Sequence, residues 1–125
     1  VEIKIIIPRT NNLWYVRMAT CSLYKTLISA GARIFEKTGR FSHAKAMLVD
    51  GEWAYIGSSN CDVRSFRLNY ELDFTVTGEE FISDLRDQFI KEINDSEEVT
   101  MLDAMSYSIP RQIIQNICSL LTPIL

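Results

Sequence analysis

The first 35 residues follow a strand–helix–strand pattern, and no other feature of the sequence constrains the fold as strongly. The isoleucine-rich run Glu2–Ile7, closed by Pro8, predicts a strand, and Ala32–Phe35 predicts a second one. Between them, apolar residues recur at helical spacing over residues 13–30, which predicts a helix. Gly31 follows at the position where a C-terminal cap with left-handed backbone angles is expected. Two strands joined by a crossover helix pair in parallel, with a right-handed connection. The chain therefore opens as a βαβ unit.

Antiparallel strands are predicted to follow this unit. Ser42–Val49 and Trp53–Ile56 flank Asp50-Gly51, a dipeptide that favours a tight hairpin turn. The segment Arg67–Val76 alternates apolar and polar residues, which is typical of a strand with one polar face. Gly78–Asn94 carries apolar residues at i, i+4 and i+8, and it predicts an amphipathic helix. Together these patterns predict an α/β fold, with a mixed β-sheet flanked by helices.

Length and composition predict one ordinary globular domain over residues 1–125, because 47% of the residues are hydrophobic and 23% are charged.

Asp95–Glu98 is expected to be a solvated loop. Residues 101–125 predict one short helix, bracketed by Pro110 and Pro123. We expect its apolar face to pack in the core or against a missing half of the protein, the alternative being a membrane-surface helix; the face comprises Ile113, Ile117, Leu120 and Ile124. The predicted core comprises Ile3, Ile5, Leu23, Leu27, Val49, Ile56, Phe74 and Phe81.

Charge, hydropathy and the cysteine and histidine content limit the partners, cofactors and compartment that we expect for this chain. The net charge of -3 argues against a non-specific nucleic-acid coat, so no nucleic-acid partner is expected. Nothing approaches 18 consecutive apolar residues, and we expect these 125 residues to be soluble. The cysteines Cys21, Cys61 and Cys118 lie far apart, which favours buried thiols in a reducing compartment. The single histidine, His43, cannot build a multi-histidine metal site, and neither a metal nor a cofactor is expected.

Polar residues with phosphate-seeking chemistry concentrate between residues 43 and 71. Strand alternation places His43 and Lys45 on one face, and Gly57-Ser58-Ser59-Asn60 adds a hydroxyl and an amide at the end of the next strand. A carboxylate at Glu71 is positioned to accept the Nδ1 hydrogen of His43 and fix its tautomer. Each residue alone has a structural explanation. Together they form the set needed for covalent phosphoryl transfer without a metal.

The spacing of these residues resembles a known signature. His43-x-Lys45, four residues to Asp50, and six residues to Gly57-Ser58-x-Asn60 match the HxK(x)4D(x)6GSxN motif of the phospholipase D superfamily. The continuation over residues 60–71 resembles the NxDxRSFxLNxE signature of bacterial cardiolipin synthases, and residues 121–125 are similar to their chain ending. The resemblance covers essentially the whole chain and implies a phospholipase D-like half-domain.

The resemblance also implies roles for individual residues. His43 would be the nucleophile or the acid, and Glu71 would orient it. Asp50 belongs to the motif, yet it also occupies the first position of the predicted turn, so a structural role is at least as well supported. The phosphate-binding residues implied by the motif are Lys45, Ser58 and Asn60. Bracing of the loop through local hydrogen bonds is expected of Asp62, Arg64 and Ser65.

The activity implied is phosphatidyl transfer between two phosphatidylglycerol molecules, giving cardiolipin and glycerol through a phosphohistidine intermediate. Such enzymes carry two motifs and this chain carries one, while attack and leaving-group protonation need two histidines. We therefore expect a C-terminal catalytic half, truncated at its N-terminus and inactive alone. Its partners would be phosphatidylglycerol, a missing N-terminal half with a second His/Lys motif and, through the parent protein, the cytoplasmic side of the cell membrane.

Two other readings remain open. A single-motif phospholipase D-type phosphodiesterase or nuclease could form its site as a homodimer, with water replacing the acceptor alcohol, although the net charge of -3 argues against a nuclease. A scaffold or regulatory half-domain that retains the motif without turnover is the third possibility.

Overall fold

The computed structural model describes residues 1–39, 43–59 and 70–120 of the chain. They divide into two compact units: Val1–Phe41 together with Asp95–Leu125, and Ser42–Asn94. Each unit contains one three-stranded sheet. The predicted α/β class is confirmed, with two small sheets flanked by helices. In the described part of the chain, no helix is both long enough and apolar enough to cross a bilayer.

The first unit is built on a mixed sheet in the order β1-β2-β6. Its strands are β1 (Ile3–Pro8), β2 (Ala32–Lys37) and β6 (Ser96–Val99). β1 and β2 pair in parallel, which confirms the predicted βαβ opening. β6 pairs antiparallel with β2, so the expectation of a solvated loop over residues 95–98 is wrong. The acidic residues of β6 are accommodated because Arg33 donates to Glu98 and Arg9 donates to Glu97 at the sheet surface.

The predicted crossover helix is two helices, α1 (Trp14–Ser22) and α2 (Tyr24–Ser29). Near the junction, Thr20 Oγ1 donates to the carbonyl of Val16 at 2.9 Å, and Ser22 Oγ donates to that of Ala19 at 2.6 Å. Such side-chain bonds compete with the helical ladder and bend helices. Sequence periodicity could not show this break. Gly31 has φ +94°, as its predicted capping position requires.

A buried polar cluster lies between α1, α2 and β2. The Tyr24 hydroxyl receives a hydrogen bond from Arg17 at 2.7 Å and donates to Glu36 at 2.6 Å. Arg17 also donates to Glu36, at 2.5 Å. Tyr24 is 1% exposed and Glu36 7% exposed, so the carboxylate is compensated by a guanidinium and a phenol. Burial, with the hydrogen bond to Glu36, raises the pKa of Tyr24 above its ordinary value.

The core of the first unit differs from the predicted one. Cys21, Tyr24, Ile34 and Ala104 form its buried cluster, with the partly buried Leu27 packed against it. Ile5 is partly buried. Ile3 and Leu23, predicted as core, are exposed because β1 is an edge strand and Leu23 lies at the helix break. Of the predicted buried thiols, Cys21 and Cys118 are buried and free, while Cys61 lies outside the described residues.

The C-terminal segment forms two helices instead of the single one predicted. They are α4 (Met101–Met105) and α5 (Ile109–Ser119). Pro110 occupies the first turn of α5, where its missing N–H costs nothing, so it starts this helix and does not limit it. α5 packs against α1, and its buried residues are Gln115 and Cys118. The predicted apolar face is therefore not core, because α5 is buried through those two residues instead. Its members Ile113, Ile117 and Leu120 are exposed, and Ile124 lies outside the described residues.

The second unit carries an antiparallel sheet in the order β3-β4-β5. Its strands are β3 (Lys45–Val49), β4 (Trp53–Gly57) and β5 (Asp73–Val76), and α3 (Glu79–Asn94) packs against β3. Among the described residues of this unit, Ala54 and Ile82 are the buried apolar ones. Val49 and Ile56 are only partly buried, and Phe74 and Phe81, both predicted as core, are exposed. Residues 70–72 lie outside the strand, which is shorter than the alternation predicted.

Candidate functional site

The hairpin β3–β4 positions the predicted site residues, and its turn has the predicted form. Asp50 and Gly51 have φ values of 52° and 69°, and the Glu52 amide donates to the Val49 carbonyl at 3.0 Å. Positive φ at both central positions is what a type I′ turn requires, and Asp is one of the few side chains that tolerate it. This conformation gives Asp50 a structural task at the turn. Its catalytic role in the motif stays a prediction.

His43 and Lys45 lie together at the end of the sheet opposite the turn. Lys45 is the first residue of β3, and His43 precedes it by two residues. The Lys45 ammonium lies 2.6 Å from Nδ1 of His43 and 3.4 Å from Nε2, and it donates to the His43 carbonyl at 2.9 Å. His43 is exposed, and Lys45 is partly buried. The structure therefore joins the two residues with which the motif begins.

The contact with Lys45 has a consequence for the imidazole. An ammonium group can only donate, so a hydrogen bond at 2.6 Å makes Nδ1 the acceptor and places the proton of a neutral ring on Nε2. The predicted hydrogen bond from Nδ1 to Glu71 needs the other tautomer. Only one of the two partners can engage Nδ1 at a time. Orientation of His43 by Glu71 stays a prediction.

Ser58 and Glu71 form a second pair at the same end of the sheet. Ser58 Oγ donates to Glu71 Oε2 at 2.5 Å and accepts a hydrogen bond from the Leu72 amide at 3.0 Å. The Ser58 amide donates to the Leu72 carbonyl at 3.1 Å, which extends the β4–β5 ladder by one step. Ser58 is exposed and Glu71 partly buried. The hydroxyl predicted to bind phosphate is therefore fixed in direction yet open to solvent.

Two residues that the sequence analysis did not select, Ser59 and Asp73, bind each other at the turn Gly57–Ser59, where β4 ends. Ser59 Oγ donates to Asp73 Oδ2 at 2.5 Å, and the Ser59 amide donates to Asp73 Oδ1 at 3.2 Å. The hydrogen bond from the Ser59 hydroxyl is the main cause that lowers the pKa of Asp73 below its ordinary value. A signal was present, because strand alternation puts Asp73 on the same polar face as Glu71.

The remaining predicted site residues lie outside the described part of the chain. They are Asn60 and the expected bracing residues Asp62, Arg64 and Ser65. Within residues 1–39, 43–59 and 70–120, no group of three or more His, Cys, Asp or Glu side chains is arranged to hold a metal ion. The described site thus consists of a histidine–lysine pair and a serine–glutamate pair on one antiparallel sheet.

Comparison with known proteins agrees with this arrangement. Residues 1–93 match the family described as cardiolipin synthase, PLD-like domain. This matched range includes all of the site residues. The chain belongs to this family. As a member of the PLD-like family, it carries the histidine–lysine pair in the setting that the resemblance implied, a sheet flanked by helices.

Curated relatives of this PLD-like chain extend over its full length. It is 37% identical over 125 residues to a cardiolipin synthase of Oceanobacillus iheyensis and 34% identical to one of Listeria monocytogenes. It is 30% identical to cardiolipin synthase A of Proteus mirabilis. In each case all of this chain is covered but only 26% of the relative. The chain therefore spans about a quarter of the length of these relatives.

Proposed function

We propose that this chain supplies one half of the active site of a cardiolipin synthase, which transfers a phosphatidyl group between two phosphatidylglycerol molecules and releases glycerol. The observation that carries the proposal is the contact between the Lys45 ammonium and the His43 ring at 2.6 Å. It pairs a group that can attack or protonate with a cation that can bind phosphate. Membership of the PLD-like family and the relatives' names support the choice of lipid substrate.

The proposed reaction has two displacements at phosphorus. One histidine attacks the phosphorus of the first phosphatidylglycerol, the bond to the headgroup glycerol oxygen breaks, and a second histidine gives this oxygen its proton. The second histidine then takes a proton from a hydroxyl of the second phosphatidylglycerol, whose oxygen displaces the first histidine and yields cardiolipin. Attack and leaving-group protonation lie on opposite sides of phosphorus, so they require different imidazoles. His43 fills one of these two roles.

Attack by Nε2 of His43 requires a lone pair on that atom. A phosphate that draws the Lys45 ammonium to its own oxygens would release Nδ1 for protonation, and a carboxylate would then hold the Nδ1 proton. Glu71 is the residue we propose for that task. Lys45 and Ser58 would bind the phosphate oxygens from this chain, with Asn60 as the motif implies. Asp50 would act through the turn.

The second histidine has to come from elsewhere, because the sequence contains only one. Since the relatives are about four times as long as this chain, we propose that a second His/Lys motif lies in the rest of a longer protein, which works at a membrane surface where phosphatidylglycerol is found. A homodimer that joins two copies of His43 across a twofold axis would also supply two histidines. The experiment below separates the two arrangements.

The test uses the protein encoded by the complete gene, incubated with vesicles of phosphatidylglycerol and assayed for cardiolipin and glycerol by mass spectrometry. We expect equal amounts of both products and their loss in His43→Ala. Asp84→Asn, an exposed carboxylate change on α3, is the matched control and should retain activity. Rapid quenching with denaturant at alkaline pH should trap a phosphatidyl adduct on histidine, because the phosphorus–nitrogen bond hydrolyses in acid. Near-normal transfer by His43→Ala, or hydrolysis without cardiolipin, would contradict the proposal.

The 125-residue chain is assayed beside the longer protein, with its mass in solution measured by light scattering. We expect no turnover of phosphatidylglycerol by the chain alone. An active dimer would favour the homodimeric phosphodiesterase, and an active monomer would contradict the requirement for two histidines.

A further inference from the structure

We propose that Asp73 is a positioning residue that holds the turn Gly57–Ser59 through Ser59 and thereby presents the Ser58 hydroxyl to phosphate. The inference rests on the proposed function in one respect, the binding of phosphate by Ser58. Neither Asp73 nor Ser59 has a defined place in the motif, where Ser59 occupies the unspecified position between Ser58 and Asn60.

The first observation is the way the Asp73 carboxylate lies across the neighbouring strand. Asp73 pairs directly with Gly57 in the β4–β5 ladder. A Cβ atom at Gly57 would lie 1.7 Å from Asp73 Oδ1 and 2.6 Å from its Cγ, so the carboxylate occupies the space that a side chain at Gly57 would fill. This placement brings the carboxylate over β4 at the point where the turn begins. It explains why glycine stands at this position.

The second observation is that both hydrogen-bond donors of Ser59 bind this carboxylate. The hydroxyl donates to Oδ2 at 2.5 Å and the amide donates to Oδ1 at 3.2 Å. Ser59 is 7% exposed, so its hydroxyl is withdrawn from solvent and bound to a charged acceptor. Restraining the backbone N–H and the side chain of one residue together removes most of its conformational freedom.

Ser58 lies between these two anchored positions. Gly57 is covered by the carboxylate, Ser59 is bound to it, and the Ser58 amide bonds to the Leu72 carbonyl at 3.1 Å. The Ser58 hydroxyl remains exposed and directed at Glu71. Pre-organised donors stabilise developing charge because they need not reorganise during the reaction. Asp73 thus acts on the reaction through the position of Ser58 Oγ, whose hydrogen has only to turn from Glu71 to a phosphate oxygen.

The carboxylate of Asp73 is suited to this task and not to contact with substrate. Hydrogen bonds from Ser59, and from the Tyr55 hydroxyl, lower its pKa, so it is a charged acceptor at neutral pH. Its lone pairs are directed to donors of the sheet and the turn.

The first arm of the test measures the turn itself in the 125-residue chain. Amide hydrogen exchange at Ser59 is compared in the wild type, Asp73→Ala, Asp73→Asn and the control Thr75→Ala, which changes an exposed residue two positions along the same strand face. We expect about tenfold faster exchange at Ser59 in Asp73→Ala, partial recovery in Asp73→Asn, and exchange within about twofold of wild type in the β3–β4 ladder. Unchanged exchange at Ser59 in Asp73→Ala would overturn the proposal.

The second arm measures phosphatidyl transfer by the longer protein on phosphatidylglycerol vesicles. We expect Asp73→Ala to lower kcat about tenfold with a smaller change in KM, Asp73→Asn to restore part of the loss, and Thr75→Ala to match wild type. Because Asp73 acts through Ser59, adding Ser59→Ala to Asp73→Ala should cost little more. Equal kcat in wild type and Asp73→Ala would overturn the proposal while leaving the proposed function intact. An inactive wild type would overturn the proposed function. Amide hydrogen exchange at Ser59 would then be the test of the role proposed for Asp73.

Discussion

Gly57 lies directly beneath the carboxylate of Asp73, with which it pairs in the β4–β5 ladder. Asp73 Oδ1 is 1.7 Å, and the Asp73 Cα 2.8 Å, from the position that a Cβ atom would take at Gly57. Backbone φ at Gly57 is not in the left-handed region, so the requirement for glycine here is one of space and not of conformation.

Gly57→Ala is therefore expected to destabilise the chain by about 1–3 kcal/mol, the usual cost of overpacking. The measurement is urea denaturation followed by circular dichroism. Gly78→Ala is the matched control, because a Cβ there meets nothing within 4 Å, and it should cost no more than about 1 kcal/mol. Adding Asp73→Ala to Gly57→Ala should recover only part of the loss, since the Asp73 Cα remains in contact. Equal costs at the two glycines would contradict this account.

Glu71→Gln separates charge from hydrogen bonding at the site. An amide oxygen can still accept from Ser58, now bound to Glu71 at 2.5 Å, but it carries no charge to support an imidazolium at His43. We expect transfer by the longer protein to fall by about 10²-fold or more. Glu52→Gln, an exposed carboxylate at the far end of the hairpin, should leave the rate unchanged. A rate for Glu71→Gln equal to that of this control would remove Glu71 from the site.

Tyr24 is expected to make stability fall in alkali. Its pKa is raised in the folded chain, so folding favours the protonated phenol. This contribution is complete below the unfolded pKa of about 10 and is lost as pH rises above that value toward the folded pKa, by up to about 1.4 kcal/mol per pH unit. Urea midpoints between pH 8 and 11 measure the slope.

Tyr24→Phe should reduce that alkaline slope and lower stability at pH 8 by about 1–2 kcal/mol, because Arg17 and Glu36 lose their shared partner. Tyr70→Phe removes a hydroxyl from a fully exposed ring and is the control. A slope that persists unchanged in Tyr24→Phe would assign the alkaline titration to other groups.

The exposed face of α5 is tested by matched isoleucine truncations. Ile117 is 57% exposed and Ile34 is 1% exposed. Ile34→Ala should cost about 2–5 kcal/mol, whereas Ile117→Ala should cost less than about 1 kcal/mol in the 125-residue chain. Thermal denaturation and urea midpoints give both values. Comparable losses at the two positions would mean that Ile117 is covered in solution.

Local sequence signals predicted the parts of the fold that depend on neighbouring residues. The βαβ opening, the cap at Gly31, the turn at Asp50-Gly51 and the helix over residues 79–94 follow from periodicity and turn chemistry within short segments. The His43-x-Lys45 spacing and the Gly57-Ser58 element likewise identified the family before any contact was seen, because a motif records which groups a reaction needs.

Tertiary structure decided what depends on residues distant in the chain. β6 forms because the acidic segment meets Arg9 and Arg33 across the sheet, and burial of α5 on its Gln115 and Cys118 side is set by packing against α1. The hydrogen bond between Ser59 and Asp73 joins positions 14 residues apart. Strand alternation places Asp73 on the polar face, but only the β4–β5 register decides which residue it meets. Periodicity describes which faces a segment offers, and only the neighbours that the fold brings to each face determine which of them is buried, charged or left open.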